Sequence, residues 1–235
     1  MLQSRNFDPM LYVRALGLLV RNPSIIVVPL LMGVVGVFVG QIGGGSGGGV
    51  IGGLTQLLVL LLNMFAFGAA CIIGDMAWRR GRASFDDGWN EARRKGGEIL
   101  TAAMGFTFVL YLAQFAGTLV GPLANVLLAV ALYFLIYTIP AAAVGGIPGG
   151  AALQISIERA RSNPLPTVVV AVVSVAAYFA GLLLLPYVAP LIALSAFASL
   201  NLVVALLATV VQAIAVGYIA LIVTKTYADI SFGRR

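Results

Sequence analysis

The chain has 235 residues, of which 61% are hydrophobic and 9% charged, against about 25% charged in an ordinary soluble domain. A mean hydropathy of +1.05 and a single cysteine exclude a soluble globular domain, a disordered chain and a disulfide-stapled secreted module. What remains is an all-α polytopic membrane bundle, one transmembrane domain over 1–235.

Phe7 to Arg21 forms an amphipathic stretch with Asp8 as N-cap, Pro9 at the first helical position, and Arg14 and Arg21 on one face. It breaks at Asn22-Pro23. The first span follows over Ser24–Ile42 and is expected to be retained, because no small-residue cleavage site follows its apolar core. Gly43 to Gly49 is a flexible Gly-rich connector, natural or engineered. The second span covers about Val50–Trp78.

A second amphipathic stretch begins at Ser84. Ser84 and Asp87 resemble a capping box, Phe85 and Trp89 share a face, and the stretch breaks at Gly96-Gly97. The third span is Ile99–Val120 and the fourth about Leu123–Ile147. Ala151 to Asn163 is the third amphipathic stretch, with Leu153, Ile157 and Ala160 as its apolar stripe and Glu158 and Arg161 opposite. It breaks at Asn163-Pro164, and the fifth span runs from Leu165 to about Leu185. Pro186 and Pro190 mark a turn, Leu191–Leu200 an outer-face segment, and about Leu202–Thr224 the sixth span. Pro29 and Pro140 fall inside spans and are expected to kink them.

Six spans thus form three hairpins, each preceded by a cytoplasmic interfacial amphipathic helix. The self-similarity divides the chain into pseudo-repeats at about 7–78, 84–147 and 150–228. All 14 basic residues fall on one side of this layout, and the outer connections hold no charge. The positive-inside rule then puts both termini and both charged loops in the cytoplasm, as in a prokaryotic inner membrane.

The net charge of +6 is therefore assigned to anionic headgroups at the cytoplasmic face and not to nucleic acid. Arg79, Arg80, Arg82, Arg93, Arg94 and Lys95 are the candidate lipid contacts, with Trp78 as an interfacial anchor.

Asp87-Gly-Trp-Asn-Glu-Ala-Arg-Arg-Lys and Ile139-Pro-Ala-Ala-Ala-Val-Gly-Gly-Ile-Pro-Gly-Gly-Ala-Ala-Leu-Gln-Ile-Ser-Ile-Glu-Arg-Ala-Arg carry a resemblance. They look like uncharacterised six-span prokaryotic membrane proteins, similar to the membrane domain attached to some bacterial glycerophosphodiester phosphodiesterases. The resemblance spans about residues 80–180, is architectural, and supplies no catalytic residues.

The absence of histidine removes imidazole acid–base chemistry and His-ligated metal sites. No P-loop, GxSxG or HExxH pattern occurs. No catalytic, metal or cofactor residue is assigned. Asp86, Asp87 and Glu91 read as solvated helix charge beside Arg93, Arg94 and Lys95. Asp75 and Lys225 lie at inner span ends, four residues from Arg79 and Asp229 respectively. The deeper polar groups are Asn63, Gln114 and Gln212, candidates for a polar pathway or for interhelical packing.

The expected function is a non-enzymatic membrane scaffold or accessory subunit, with a protein partner or a homo-oligomer. The alternative is a small transporter or channel for a neutral or lipid-like solute.

Overall fold

In a bilayer, backbone N–H and C=O groups have no water to turn to, so each apolar run folds as a helix that satisfies them internally. The computed structural model describes residues 8–44, 50–121, 124–183 and 198–233, and no strand occurs among them. In chain order the helices are α1 (Met10–Arg21), α2 (Ser24–Gly44), α3 (Val50–Arg80), α4 (Phe85–Arg94) and α5 (Gly96–Val120). They continue as α6 (Ala124–Leu135), α7 (Thr138–Ala143), α8 (Gly149–Ser162), α9 (Pro164–Leu183) and α10 (Ala198–Phe232). Each short helix (α1, α4, α8) is followed by two long elements, the fourth span being split into α6 and α7. The chain is an all-α polytopic bundle.

Four stretches are long and apolar enough to cross a membrane unaided: Gly52–Arg80, Gly96–Gly117, Ala124–Ala143 and Ala205–Phe232. The pairs α1–α2 and α8–α9 meet the same requirement only jointly, bent by 75° and 110°, which gives six spans if each pair counts as one. The bends have a local cause. Asn22 and Asn163 adopt nearly the same non-helical conformation (φ −129°, ψ 70° and φ −134°, ψ 65°), and the proline after each favours that break. Beyond the bends, α2 with 21 residues and α9 with 20 extend about 30 Å at 1.5 Å per residue, one hydrocarbon thickness.

At α1 the Met10 N–H donates to Asp8 Oδ1 at 3.0 Å, but the helix begins at Met10 with Pro9, one residue later than expected, in the cap position. Ser84 makes no side-chain cap bond at α4, so that capping box does not form. The sixth span extends past the expected Thr224 to Phe232. Its extra turns carry Lys225 and Asp229, joined at 2.8 Å. The largest departure is in the fourth span, which is interrupted at Ile136–Tyr137. Pro140 has no N–H, and its ring opposes the carbonyl four residues back, that of Ile136. The turn at Pro186–Pro190 and most of the segment 191–200 lie outside the described residues, as do 45–49 of the Gly-rich connector.

The core is made of small side chains. Ala66, Ala69, Ala70, Ala102, Ala103, Ala152 and Ala220 are buried, as is every residue of α7. In lipid, helices associate by close van der Waals approach and interhelical hydrogen bonds, which small residues permit. Gly217 shows this: a Cβ there would meet Leu19, Ile25 and Ile26 at 3.2–3.4 Å. Gly33 is tighter, since a Cβ there would run into the Thr209 methyl. Helix α10 packs against α2, α3 and α9, and α7 lies against α3, α5 and α8.

Candidate functional site

Helix α7 and the charged ends of α3, α5 and α10 gather most of the polar chemistry. Breaking the fourth span frees two backbone groups, and one hydroxyl takes both. The Tyr137 N–H donates to Ser156 Oγ at 3.1 Å, and the Ser156 hydroxyl donates to the Phe134 carbonyl at 2.7 Å. Ser156 lies on α8 and is fully buried. The Tyr137 hydroxyl continues the chain of contacts to Thr167 Oγ1 on α9 at 3.1 Å. At the other end of α7, Lys95 Nζ donates to the Ala143 carbonyl at 2.9 Å, a cation at a helix C-terminus where the dipole favours one.

Beside α7, the charged ends of α3 and α10 are joined. The Trp78 indole N–H donates to the Leu221 carbonyl at 3.0 Å, and Lys225 Nζ sits 5.9 Å from the Trp78 ring centre. Trp78 is thus an interhelical link. Asp75 pairs with Arg79 at 2.9 Å, and Lys95 and Lys225 lie within its electrostatic reach. On α4, Glu91 pairs with Arg94 at 2.6 Å and with Lys95 at 3.4 Å. Burial alone would raise the Glu91 carboxyl; the hydrogen bonds and charges of Arg94 and Lys95 outweigh it and hold the group below the usual glutamate value. These charges neutralise one another locally, at the i, i+3 and i, i+4 spacing of helix pairs.

Of the six candidate headgroup contacts, Arg79, Arg80, Arg82, Arg93 and Arg94 are exposed and Lys95 is partly buried. Lys95 is occupied by Ala143 and Glu91, which sequence reasoning missed: nothing in its neighbourhood signals a carbonyl 48 residues away. The role of Ser156 was equally silent in the sequence. Asp86 and Asp87 are exposed on α4, with Glu91 turned to its basic neighbours.

Asn63 and Gln114 are exposed on the surfaces of α3 and α5, and Gln212 is half-buried on α10. Two exposed side chains do not line an enclosed pathway. A shallow, open groove of about 600 Å³ lies along α6, lined by Asn125, Val126, Ala129, Val130, Tyr133 and Phe134. It includes none of the three amides and is almost entirely apolar.

The three short helices present different surfaces. Helix α4 lays Phe85 and Trp89 inward, ring-stacked, with Trp89 edge-on to Phe65 of α3, and shows Asp86, Asp87, Asn90, Arg93 and Arg94 outward. Helix α8 buries Ala152, Ser156 and Ala160 and exposes Gln154, Glu158 and Arg161. Helix α1 buries Ala15 and Leu19 but exposes Met10, Val13, Leu16 and Val20. Outward polar faces on α4 and α8 suit water; that of α1 does not.

Comparison with known proteins adds no assignment: no family model, curated protein or solved structure matches this chain.

Proposed function

We propose that this chain is a non-enzymatic membrane scaffold or accessory subunit, which binds a neighbouring membrane protein or a second copy through the outward surfaces of α3 and α5. The reading rests on Asn63 and Gln114. Both amides are exposed on predominantly apolar spans, where lipid tails offer no hydrogen-bond partner. An amide in that position gains about 0.6–2 kcal/mol from a polar group on an adjoining helix. The span on α5 supports the same reading, since only 22% of its most apolar window is buried within the fold. The buried α7 fills the space between α3, α5 and α8 with packed side chains. Positive charge at the ends of α3 and α4 supports a cytoplasmic placement of that side in a prokaryotic inner membrane.

Purification in mild detergent tests this. The native chain is expected to migrate as an assembly, and Asn63→Leu with Gln114→Leu is expected to release the monomer while helix content is kept. A native chain recovered only as a monomer contradicts the proposal.

The second reading, a carrier or channel for a neutral or lipid-like solute, draws on one observation. The broken fourth span beside the α6 groove has the discontinuous-helix character of transporter sites. Solute flux in liposomes, reduced by Ser156→Ala, is the result that would favour it over the scaffold.

A further inference from the structure

Helix α1 has a face that its counterparts α4 and α8 lack. At about 100° per residue, Leu16, Val20, Val13, Gly17 and Met10 fall within an arc of about 120°, and Arg21 and Arg14 come immediately beyond its edge. Val20 is 83% and Val13 63% exposed. A Cβ on Gly17 would meet nothing within 4 Å. The opposite side of the helix is committed: Ala15 and Leu19 are buried, and α1 packs on α10 near Gly217 and Tyr218.

Orientation follows from the elbow. The 75° bend sets α1 across the direction of α2, and α2 is about one hydrocarbon thickness long. Helix α1 therefore lies along the membrane surface at the end where α2 begins. That end is the charged one. Asn22 Nδ2 donates to the Gly81 carbonyl at 3.4 Å, the Ala83 N–H donates to Asn22 Oδ1 at 2.9 Å, and the Ser24 hydroxyl donates to the Ala83 carbonyl at 3.1 Å. These bonds tie the elbow to the end of α3 with its Arg79 and Arg80.

Charge selects the occupant. Helix α1 holds Arg14 and Arg21 and no acidic residue. Asp8, just before it, uses Oδ1 to cap the Met10 N–H. Among the described residues neither arginine has a carboxylate partner, unlike Arg79 and Arg94. An apolar stripe bordered by two unneutralised arginines, lying in the plane of a bilayer surface, is complementary to acyl chains with phosphate headgroups beside them. We infer that α1 is a lipid-docking helix: its Met10–Val13–Leu16–Val20 stripe enters the acyl boundary, and Arg14 and Arg21 gather anionic phospholipids around it. This face is separate from the α3–α5 surface and does not depend on the scaffold reading.

A probe at Val20 tests the inference. The chain's one cysteine, Cys71, is fully buried, so Val20→Cys takes an environment-sensitive fluorophore selectively. The labelled protein is placed in nanodiscs of equal parts phosphatidylcholine and phosphatidylglycerol, with brominated acyl chains on one lipid or on the other. Brominated phosphatidylglycerol is expected to quench the more strongly, since the attraction of each arginine to anionic headgroups is worth about fivefold in binding. Arg14→Gln with Arg21→Gln is expected to reduce that preference, leaving the part owed to Arg79, Arg80 and Arg82 at the same end, and a label at the exposed Val172 of α9 to show none. No quenching by either lipid would mean that protein covers the stripe, and would overturn the inference. Equal quenching in the native background, or a preference undiminished in the double variant or equal at Val172, would also overturn it.

Discussion

Lys95 Nζ and the Ala143 carbonyl meet at 2.9 Å, joining the break between α4 and α5 to the end of α7 in the same hairpin. Asn22 does the corresponding work in the first hairpin: it sits at the break between α1 and α2 and holds Gly81 and Ala83, just past the end of α3. In both units the residue at the elbow bonds to the end of the second long segment, so each hairpin is closed at its charged end. Lys95→Met removes the donor and leaves Ala143, which is fully buried, with its carbonyl unanswered. The expected loss is about 1–3 kcal/mol, the cost of one unsatisfied buried acceptor, read from denaturant unfolding in detergent.

Asn22 and Asn163 share a backbone conformation and a following proline, yet only Asn22 reaches another segment. The Asn163 amide donates locally to the Arg159 carbonyl at 3.3 Å. Asn22→Ala is therefore expected to destabilise by about 1–3 kcal/mol and Asn163→Ala by less than about 1 kcal/mol. Equal losses in thermal unfolding would show that the elbow geometry, and not the bonds to Gly81 and Ala83, sets the effect.

Ser156→Ala deletes one hydroxyl and orphans two backbone groups, the Tyr137 N–H and the Phe134 carbonyl. Its cost is expected at about 2–4 kcal/mol, more than one ordinary hydrogen bond. Thr167→Val, which removes the Oγ1 met by the Tyr137 hydroxyl, provides the comparison and is expected to cost less. A negligible effect of Ser156→Ala on unfolding would contradict its role in bridging the break.

Glu91 gives a pH dependence whose sign is fixed. Its carboxyl is held below the ordinary value of 4.5 by Arg94 and Lys95. A depressed folded-state pKa contributes stability that is fully present above the unfolded value and is lost as pH falls through the folded one. The stability difference between native chain and Glu91→Gln is expected to be constant at neutral pH, then to shrink as pH drops below about 4.5. A difference that grows on acidification would reverse the assignment.

The four unaided spans were legible in the sequence because the bilayer imposes a length, and a run such as Val50–Trp78 satisfies it whatever its neighbours do. The two Asn-Pro breaks were legible for a local reason, the proline's effect on the residue before it. Pro140 signalled a kink; that the kink becomes a break depends on Ser156 of α8 being at hand to accept and donate, which no local pattern encodes. Hydropathy was equally blind to azimuth. It set Asn63, Gln114 and Gln212 in their spans but not the direction in which they face, because that depends on which sides of α3, α5 and α10 the other helices cover. Lys95 belonged by sequence with Arg93 and Arg94, and only the approach of α7 sets it apart.

The outward surface of α5 is the central claim, and photocrosslinking in intact membranes tests it most directly. A photoreactive residue at Tyr111, exposed on α5 three positions from Gln114 and on the same face, is expected to give a discrete protein adduct that disappears in the Asn63→Leu, Gln114→Leu background. The same group at Val172 of α9 is expected to give lipid adducts. Lipid adducts alone at Tyr111, unchanged by the double substitution, would contradict the account.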